Sequence, residues 1–510
     1  MKILFLDPPH MPWEFFSGRL PSPGLAAIIP FANDGSNIIR VLDLSLHLEA
    51  PELKLKDELE IFNPDLIAIS GTKSAFAYET VNVAEFCRLY APGAMIAGGG
   101  NFLSNYAEDA VSRGYLDFII KGEGELTFKE LAGAIKSRKY SGLLNIKGLA
   151  YAAELVNSPQ KYYSELKAQF AENLFNKGRT LFFKNRIFAK PEKFKTLYTQ
   201  DRSLIENLDV LPLPAYEHFD MDKYELKPLG GRSGFVISFS RGCGNCCSFC
   251  ADSVFWRNRW RGFSAGRCIE LLKLLKNVYG RSIFYFGDDD FLWDRGRNIE
   301  FLELLENIRT NENFKINFWI QSSVANILKN TDLLKRFRQA GLYQIMCGFE
   351  SVNPGAQESF KKKNAVADMI KVSKLLKKHG ILLMGMMMWG DRHDDESTLT
   401  ANLDFMVKHC DVIGPNTVVP HYGTGYFDEY ERRGLVNKYS VLGNDQCDVL
   451  MPTETLTISE ADAVYKDKVL KILISKKKFI GNYFQAKNKR TRDVLGELIE
   501  NGYRTDLISL

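Results

Sequence analysis

The sequence lacks the long apolar segments that mark membrane proteins. None of its apolar runs approaches the roughly 18 residues that are needed to cross a bilayer. Residues 1–7 are typical of a strand followed by a turn rather than of a secretory signal, so we expect a cytoplasmic protein without a transmembrane segment. Internal repeats and low-complexity tracts are not evident either.

A strong excess of charge of one sign is missing as well. The 66 Lys and Arg residues are balanced by 62 Asp and Glu residues, for a formal net charge of +4. Such a weak overall field argues against nucleic acid and against a membrane surface as partners. Between Lys466 and Arg492 ten of the eleven charged residues are basic, a pattern typical of a solvated helix face. Any charged binding site should therefore be local.

Cysteine is scarce but unevenly spread. Nine cysteines in 510 residues are too few for a disulfide scaffold. Four of them fall within eight positions: Cys243, Cys246, Cys247 and Cys250. In a reducing compartment this clustering indicates a bound metal.

The length and the apolar pattern predict an α/β protein of several domains. A chain of 510 residues with 45% hydrophobic and 25% charged content fits roughly two to four globular domains. Over residues 1–140, strand-like apolar runs alternate with amphipathic stretches: Ile3–Leu6, Ile38–Leu42, Leu66–Ser70, Met95–Ala97 and Phe118–Ile120. This alternation predicts a doubly wound, flavodoxin-like sheet of five parallel strands.

The pattern loosens over residues 141–225. Two pieces, Leu144–Ala153 and Thr180–Ala189, resemble hairpins, and the Pro-punctuated stretch Leu211–Pro214 would suit a linker. We interpret these residues as a connecting region between two domains.

A second alternation of strands and helices fills residues 226–430. Its strand-like runs are Phe235–Ser240, Ile283–Phe286, Ile316–Ile320, Gln344–Phe349, Ile381–Met388 and Val412–Val419. Consecutive βα units predict a partial (β/α)6 barrel with its active site at the carboxyl ends of the strands. Residues 431–510 are expected to be a mostly helical C-terminal region.

The clustered cysteines follow the first predicted barrel strand. Cys243, Cys247 and Cys250 have the spacing Cys-x3-Cys-x2-Cys on a loop of small residues, so their thiolates can bind three irons of a [4Fe–4S] cluster. The next cysteine, Cys268, lies in a predicted helix, which leaves one iron open. Zinc is the alternative, because Cys243 with Cys246 and Cys247 with Cys250 are acceptable zinc pairs, but structural zinc sites prefer two separated knuckles. With an iron cluster, Cys246 is a bystander.

The spacing, the loop position and the aromatic Phe249 resemble the signature of the radical S-adenosylmethionine (SAM) superfamily. The resemblance implies that SAM chelates the open iron through its amino and carboxylate groups. It also implies that the reduced cluster cleaves SAM to a 5′-deoxyadenosyl radical, with electrons from an external donor of the flavodoxin or ferredoxin type. The residues that would contact SAM are Phe249, Gly287, Asp288, Asp289, Glu350 and Ser351. Asp290 is more typical of a helix N-cap.

The loops at the carboxyl edge of the first predicted sheet carry small residues. Three consecutive glycines, Gly98–Gly100, let a large flat ligand or its nucleotide tail approach the backbone, because no Cβ intervenes. These loops, in a domain placed before a radical SAM barrel, resemble the cobalamin-binding domain of cobalamin-dependent radical SAM enzymes. The resemblance implies bound cobalamin, used as methylcobalamin, in contact with Asp7, Pro8, Pro9, Ser70, Gly71, Thr72, Gly98, Gly99, Gly100, Gly122 and Glu123.

The residue expected below the cobalt differs from that of a well-known class of cobalamin domains. Methionine-synthase-type domains carry Asp-x-His-x-x-Gly, whose histidine ligates the cobalt, whereas this chain has Asp7-Pro8-Pro9-His10. With that spacing, His10 is more typical of a loop histidine. We therefore expect that no protein histidine ligates the cobalt.

Two enzymatic functions fit these cofactors. The resemblance favours a C-methyltransferase, in which the adenosyl radical takes hydrogen from an unactivated carbon and the substrate radical takes a methyl group from methylcobalamin. The alternative is an oxidative cyclase or ring-rearranging enzyme without net methyl transfer, and the sequence does not separate the two. A small molecule, a lipid or a peptide side chain would fit as the substrate.

Two further classes are disfavoured. Methylthiotransferases bind a second cluster in their first domain through several cysteines, and residues 1–140 hold only Cys87. A non-enzymatic corrinoid-binding sensor, or a zinc-dependent nucleic-acid module, is the remaining alternative. The nucleic-acid module would need a basic face interleaved with aromatic residues, and the near-neutral charge balance argues against it.

Overall fold

The computed structural model describes residues 1–10, 18–170, 187–226, 234–444, 446 and 448–470. The described residues form two compact units. The first unit extends to Tyr224, except for Gly18 and Asn207–Asp209, which belong with the second unit that continues from Glu225.

The first unit is built on a seven-stranded sheet. Its strands are β1 (Lys2–Asp7), β2 (Ile38–Asp43), β3 (Leu66–Ser70), β4 (Met95–Gly99), β5 (Phe118–Ile120), β6 (Leu149–Ala152) and β7 (Thr196–Tyr198). In the sheet they lie in the order β2-β1-β3-β4-β5-β6-β7. The pairs from β2 to β5 are all parallel.

The order of the first five strands confirms the predicted flavodoxin-like topology. β3 is buried along its whole length, because helices cover both faces of a parallel sheet and its strands must be apolar on both. The order reverses between β1 and β3, so the loops that follow these two strands flank the crevice where sheets of this type bind ligands.

The sheet has two strands more than the five that the sequence predicts. β6 and β7 extend the sheet on its β5 side as antiparallel strands. Leu144–Ala153 forms no local hairpin, because Leu149–Ala152 pairs with the distant Phe118–Ile120. Local pattern cannot reveal such a non-local pairing. Leu211 and Ala215 of the Pro-punctuated stretch are also buried in the first unit.

Helices connect and cover the strands of the first unit. Their bounds are α1 Pro23–Ala32, α2 Pro51–Phe62, α3 Ala77–Tyr90, α4 Asn101–Asn105, α5 Ala107–Ser112, α6 Glu125–Ser137, α7 Ala153–Asn157 and α8 Pro159–Phe170. A buried ion pair between Arg88 on α3 and Asp117 before β5, with 2.9 Å between Nη2 and Oδ1, ties two of the βα layers together. The hydroxyl of Tyr162 donates to the same Asp117 carboxylate at 2.7 Å.

The second unit contains a six-stranded parallel sheet in chain order, as predicted for the partial barrel. Its strands are β8 (Gly234–Ile237), β9 (Ile283–Phe286), β10 (Asn317–Gln321), β11 (Leu342–Glu350), β12 (Leu382–Trp389) and β13 (Val412–Thr417). Each strand pairs in parallel with the next. The carboxyl ends of all six strands therefore lie at one end of the sheet.

The helices of the second unit are α9 Ala251–Phe255, α10 Ala265–Tyr279, α11 Arg295–Asn311, α12 Val324–Lys329, α13 Leu334–Ala340, α14 Pro354–Ser359, α15 Val366–Lys378, α16 Glu396–His409, α17 Gly425–Arg432 and α18 Ile458–Tyr465. Their ends follow ordinary capping chemistry. Ser264 caps α10 through its side chain, and Gly280 ends that helix at φ +66°.

The described part of residues 431–510 belongs to the barrel unit rather than to a separate region. Helix α18 packs onto the barrel, where Ala461 and Tyr465 join a buried cluster with Trp389. Most of the predicted hairpin at residues 180–189 and of the basic segment at residues 466–492 lies outside the described residues. Among the described helices, none is long and apolar enough to span a membrane.

Glu79, in the first turn of α3, is a partly buried carboxyl group. Its Oε2 is shielded from water and has no hydrogen-bond partner among the described residues. Burial raises the pKa of Glu79 to about 7, because desolvation disfavours the charged form. Between the ordinary pKa of a glutamate and about pH 7, the folded protein therefore keeps a proton on Glu79 that the unfolded chain has released.

We expect Glu79→Gln to stabilise the protein at pH 8 and not at pH 4. The raised pKa means that the native state loses stability as the pH rises from the unfolded value to about 7. The gain for the variant at pH 8 should be about 1–3 kcal/mol, after a discount for partial exposure. Urea unfolding from pH 4 to 8 measures it, with the exposed Glu60→Gln as the control. A difference independent of pH would contradict the assignment.

Candidate active site

The four clustered cysteines lie on a loop that begins just after β8. A short antiparallel pair, Ser240–Arg241 with Arg261–Gly262, closes the base of this loop. Gly242, the first residue beyond the pair, has φ +83°, and a Cβ there would overlap the carbonyl oxygen of Arg259. Only glycine fits this position, so the backbone turns sharply immediately before Cys243.

The cysteines of the loop differ in exposure. Cys243, Cys247 and Cys250 are partly buried, whereas Cys246 is exposed. Burial raises the pKa of the Cys243 thiol to about 12 and that of Cys250 to about 11, and it also raises the pKa of Cys247. A cation or cluster that binds thiolates would offset this cost of burial.

Among the described residues, no group of three or more His, Cys, Asp or Glu side chains is arranged to hold a metal ion. The donor set itself fits an iron cluster, because three partly buried thiols of the predicted spacing lie on one loop. The exposure of Cys246 agrees with its prediction as a bystander.

Ser248, between two of these cysteines, fixes the loop to two other connections of the barrel. Its backbone N–H donates to the carbonyl of Phe360 at 3.1 Å, and its hydroxyl donates to the carbonyl of Ser359 at 2.6 Å. Its own carbonyl accepts from the backbone N–H of Tyr426 at 3.0 Å. Phe249 adds an edge-to-face contact with Phe360, with 5.3 Å between ring centroids. The loop is thus held against the ends of helices α14 and α17.

Asp288 supports the base of the cysteine loop from β9. It is 1% exposed, and its carboxylate accepts from the backbone N–H of Phe239 at 3.2 Å and from the Ser240 hydroxyl. Burial raises the pKa of Asp288, and the guanidinium of Arg297 opposes that rise. These contacts make Asp288 a positioning residue for the loop, while the contact with SAM stays a prediction.

Asp289, in the turn after β9, contacts the backbone at the start of the cysteine loop through its carboxylate. It is partly buried, and its carboxylate accepts from the backbone N–H of Gly242. Burial raises its pKa to about 7, and the nearby charges of Asp252 and Asp288 add to the rise. A positively charged group bound here would lower that pKa again. A Cβ added at Gly287, two residues before Asp289, would lie 3.2 Å from Cγ1 of Val236.

Asp290 has a structural role, although not as the helix N-cap that its sequence context indicated, because Asp294 caps α11. Its carboxylate accepts from Asn326 Nδ2 at 2.7 Å and from the backbone N–H of Ser323 at 3.3 Å. The hydroxyl of Ser322 also donates to it. Asp290 therefore holds the start of helix α12, which follows the neighbouring strand.

The end of β11 presents a second acid. Glu350 has φ +67°, an uncommon conformation for a non-glycine residue, and its carboxylate lies 3.0 Å from Nζ of Lys362. Although burial alone would lower the pKa of Lys362, the Glu350 carboxylate raises it. Ser351 is fully buried, and its hydroxyl donates to Oδ1 of Asn402 and accepts from the backbone N–H of Asn353.

A buried polar network lies at the end of β12. Asp391 is fully buried and accepts from the Tyr426 hydroxyl at 2.8 Å and from His393 Nδ1 at 2.7 Å. Tyr426 therefore bonds the cysteine loop through its backbone and Asp391 through its side chain. Since Ser248 and Asp391 are distant in sequence, local patterns could not reveal this link.

In the first unit, polar side chains gather at the carboxyl edge of the sheet. Asp7 and Asp43 are neighbours in the β1–β2 register, and both are buried. Burial and the charge of Asp43 raise the pKa of Asp7 well above its ordinary value, while a hydrogen bond with Ser70 opposes the rise. The Tyr224 hydroxyl donates to Asp43 at 2.9 Å. The charged form of Asp7 is thus disfavoured at this edge.

The glycines of this edge have two different uses. A Cβ on Gly71 or Gly98 would overlap the side chain of Leu103, so these two positions serve packing within the protein. Gly100 has φ +109°, and its Cβ would come 2.7 Å from the carbonyl oxygen of Gly71. At Gly122, with φ +73°, an added Cβ would meet no atom within 4 Å, so its backbone borders open space. Gly99 is partly exposed.

The remaining residues predicted to contact cobalamin differ in their exposure. Thr72 is exposed, whereas Pro8 and Pro9 are buried. Glu123 is buried, and its carboxylate accepts from the backbone N–H of Ile205 at 2.6 Å, which occupies one of its oxygens. His10 stacks on Phe76, and its Nδ1 lies 3.3 Å from the carbonyl oxygen of Pro8.

Sequence reasoning missed Lys362, which lies in a run of three lysines. Such a run is typical of a solvated surface. Lys361, two residues beyond the end of helix α14, adopts φ +54°. The side chain of Lys362, which follows it, is turned inward. The positive φ depends on the fold, and the local sequence carries no signal for it.

Comparison with known protein families agrees with the geometry of the second unit. A family model described as the radical SAM superfamily matches residues 237–403. The matched segment begins at the end of β8 and includes the cysteine loop, the turn after β9 and the end of β11.

Two curated relatives cover both units. The chain is 28% identical over 366 residues to an uncharacterized methyltransferase of Pyrococcus horikoshii, across 70% of this chain and 68% of that protein. It is 24% identical to an anaerobic magnesium-protoporphyrin IX monomethyl ester cyclase of Synechocystis sp., across 88% of this chain and 79% of the relative.

A solved structure has the same overall fold. It is the radical SAM methyltransferase TsrM of Kitasatospora setae, with cobalamin and a [4Fe–4S] cluster bound. The TM-score is 0.64 at 17% identity, and the match covers 91% of this chain and 85% of that protein. At this identity the likeness establishes the fold.

We expect Ser248→Ala to loosen the cysteine loop without unfolding the barrel. The variant loses the hydroxyl bond to the Ser359 carbonyl but keeps both backbone bonds, so the cost should be about 1 kcal/mol. Hydrogen–deuterium exchange of the peptide that covers residues 243–250 should accelerate. Ser137→Ala, which removes an exposed hydroxyl bond within helix α6, is the control. Unchanged exchange in the Ser248 variant would show that the clamp does not hold the loop.

Proposed function

We propose that this chain, which matches the radical SAM superfamily over residues 237–403 and has the fold of a cobalamin-dependent radical SAM methyltransferase, methylates an unactivated carbon. The observation that carries the proposal is the exposure pattern of the cysteine loop. Three partly buried thiols have the Cys-x3-Cys-x2-Cys spacing, and the extra cysteine is turned to solvent. The methyltransferase named among the relatives supports this reaction type.

In this proposal Cys243, Cys247 and Cys250 would hold a [4Fe–4S] cluster. Their raised thiol pKa values fit a site in which bound iron compensates the burial of thiolates. The cluster would supply the electron for the reductive cleavage of SAM. The protein contributes a fixed loop, because Ser248 and Asp288 hold it at its middle and at its base.

The SAM molecule would lie between the cysteine loop and the turns after β9 and β11. Asp289 is the carboxyl group best placed to accept the ammonium protons of its methionine moiety, because it faces the loop backbone at Gly242. Glu350 would serve the ribose, with Lys362 as its counter-charge. Phe249 and Ser351 would line the same space, and Gly287 would let the nucleoside approach the backbone.

The first unit would bind cobalamin at the carboxyl edge of its sheet. The crevice between β1 and β3 is the expected ligand position for this topology, and the backbone at Gly122 borders open space. Asp7, Ser70, Thr72 and Gly99 belong to the same edge. Cobalamin would supply the methyl group there, and the raised pKa of the buried Asp7 disfavours the charged form of that carboxyl group.

A second function keeps the same cofactors. The cyclase of Synechocystis sp. covers more of this chain than the methyltransferase of Pyrococcus horikoshii does, which favours an oxidative cyclase as the alternative. Both reactions need an external electron donor, for which a flavodoxin or ferredoxin is proposed. The substrate class is a small molecule, a lipid or a peptide side chain.

We expect the anaerobically purified protein to contain about four irons per chain, bound by three of the clustered cysteines. Separate substitution of Cys243, Cys247 and Cys250 by alanine should remove the cluster absorbance and the formation of 5′-deoxyadenosine. Cys246→Ala is the matched control and should retain both, because its thiol is exposed. Iron analysis and product chromatography measure the outcome. Equal losses in all four variants, or zinc in place of iron, would overturn the cluster assignment.

We expect two SAM-derived products in near-equal amounts when the enzyme turns over with an anaerobic extract that contains its substrate. One SAM is the radical source and yields 5′-deoxyadenosine, and a second restores the methyl group on cobalamin and yields S-adenosylhomocysteine. Deuterium from methyl-labelled SAM should enter a product, which mass spectrometry detects. Substrate conversion with 5′-deoxyadenosine alone, without label transfer, would reject the methyltransferase in favour of the cyclase.

A further inference from the structure

Three consecutive lysines follow helix α14, and only the middle one turns inward. Lys361 and Lys363 are exposed, whereas the side chain of Lys362 is only 16% exposed. Its Nζ lies 3.0 Å from Oε1 of Glu350, whose side chain is 10% exposed. Both charges are therefore largely withdrawn from water and depend on each other.

Such a pair is costly to build. Each buried ion loses several kcal/mol of hydration, and the mutual attraction repays that loss only with good geometry. Glu350 also adopts φ +67° to reach this position, which adds backbone strain. A pair of this kind is weak evidence for stability, so its location suggests another use.

The pair lies beside the cysteine loop. Ser248, the residue after Cys247, bonds through its backbone to Phe360 and through its hydroxyl to Ser359, just before the lysine run. Lys362 follows Phe360 by two residues, and the ring of Phe360 also contacts the ring of Phe249, with 5.3 Å between their centroids. The segment that carries Lys362 is therefore bound to the cysteine loop immediately after Cys247.

We propose that the Lys362–Glu350 pair sets the reduction potential of the cluster at Cys247, with the ammonium group favouring the reduced state. The proposal rests on the proposed function, because it assumes that Cys243, Cys247 and Cys250 hold a [4Fe–4S] cluster. Lys362 is a positioning residue for charge and not a cluster ligand. The step is a one-electron reduction of the cluster by an external reductant, without transfer of an atom to or from the pair.

The physical basis is the change of charge on reduction. The cluster gains one negative charge, and a buried cation nearby stabilises that charge more strongly than it would in water. Removal of the cation should lower the potential. Removal of the carboxylate should raise it, because the ammonium charge is then no longer compensated.

The test is a redox titration of the anaerobic holoprotein without SAM, with dithionite as the reductant and the electron paramagnetic resonance signal of the reduced cluster as the readout. Lys362→Gln should lower the ratio of reduced to oxidised cluster roughly tenfold at a fixed potential, a shift of about 59 mV for one electron. Glu350→Gln should shift the potential the other way. Lys362→Arg, which keeps the charge, should remain near the unmodified protein.

Lys361→Gln and Lys363→Gln are matched controls, since each removes one exposed lysine of the same run. If Lys362→Gln is too unstable to isolate, the double variant Glu350→Gln/Lys362→Gln leaves no unpaired buried charge, and its potential should lie below that of Glu350→Gln because it lacks the ammonium group. Equal potentials for the controls and Lys362→Gln, or for Glu350→Gln and the double variant, would overturn the proposal. Absence of an iron cluster in the unmodified protein would instead overturn the proposed function.

Discussion

The three hydrogen bonds of Ser248 are the interaction on which the geometry of the barrel mouth depends. They fix the middle of the cysteine loop to the carbonyl groups of Ser359 and Phe360 and to the backbone of Tyr426. Because the loop spans the distance between two βα connections, its thiols cannot move independently of those connections. Asp288 completes the constraint by holding the backbone at the start of the loop.

Buried carboxyl groups have different neighbours at the two proposed binding sites, the carboxyl ends of the barrel strands and the carboxyl edge of the first sheet. In the second unit, the acids Glu350 and Asp288 each have a buried cation nearby, Lys362 and Arg297. In the first unit, burial and the charge of Asp43 raise the pKa of Asp7, while a hydrogen bond with Ser70 and the charge of Lys73 oppose the rise. The paired charges of the barrel edge suit a charged cosubstrate and a redox centre, whereas burial at the sheet edge disfavours the charged form of Asp7.

Much of the architecture could be predicted from the sequence, because short apolar runs separated by amphipathic stretches define parallel strands. Leu66–Ser70 and Ile283–Phe286 were predicted with the bounds observed. The two antiparallel strands could not be predicted, because their partners are distant in sequence. At the site, spacing was enough to single out the cysteines. The inward turn of Lys362 depends on the positive φ of Lys361, which only the folded chain defines.

The most direct test of the central claim is Mössbauer spectroscopy of the protein reconstituted anaerobically with 57Fe, recorded with and without SAM. If three cysteines of the clamped loop hold the cluster, one iron lacks a thiolate and should change its isomer shift and quadrupole splitting when SAM is added. The other three irons should keep their parameters. A spectrum in which all four irons are equivalent and unaffected by SAM would contradict the account.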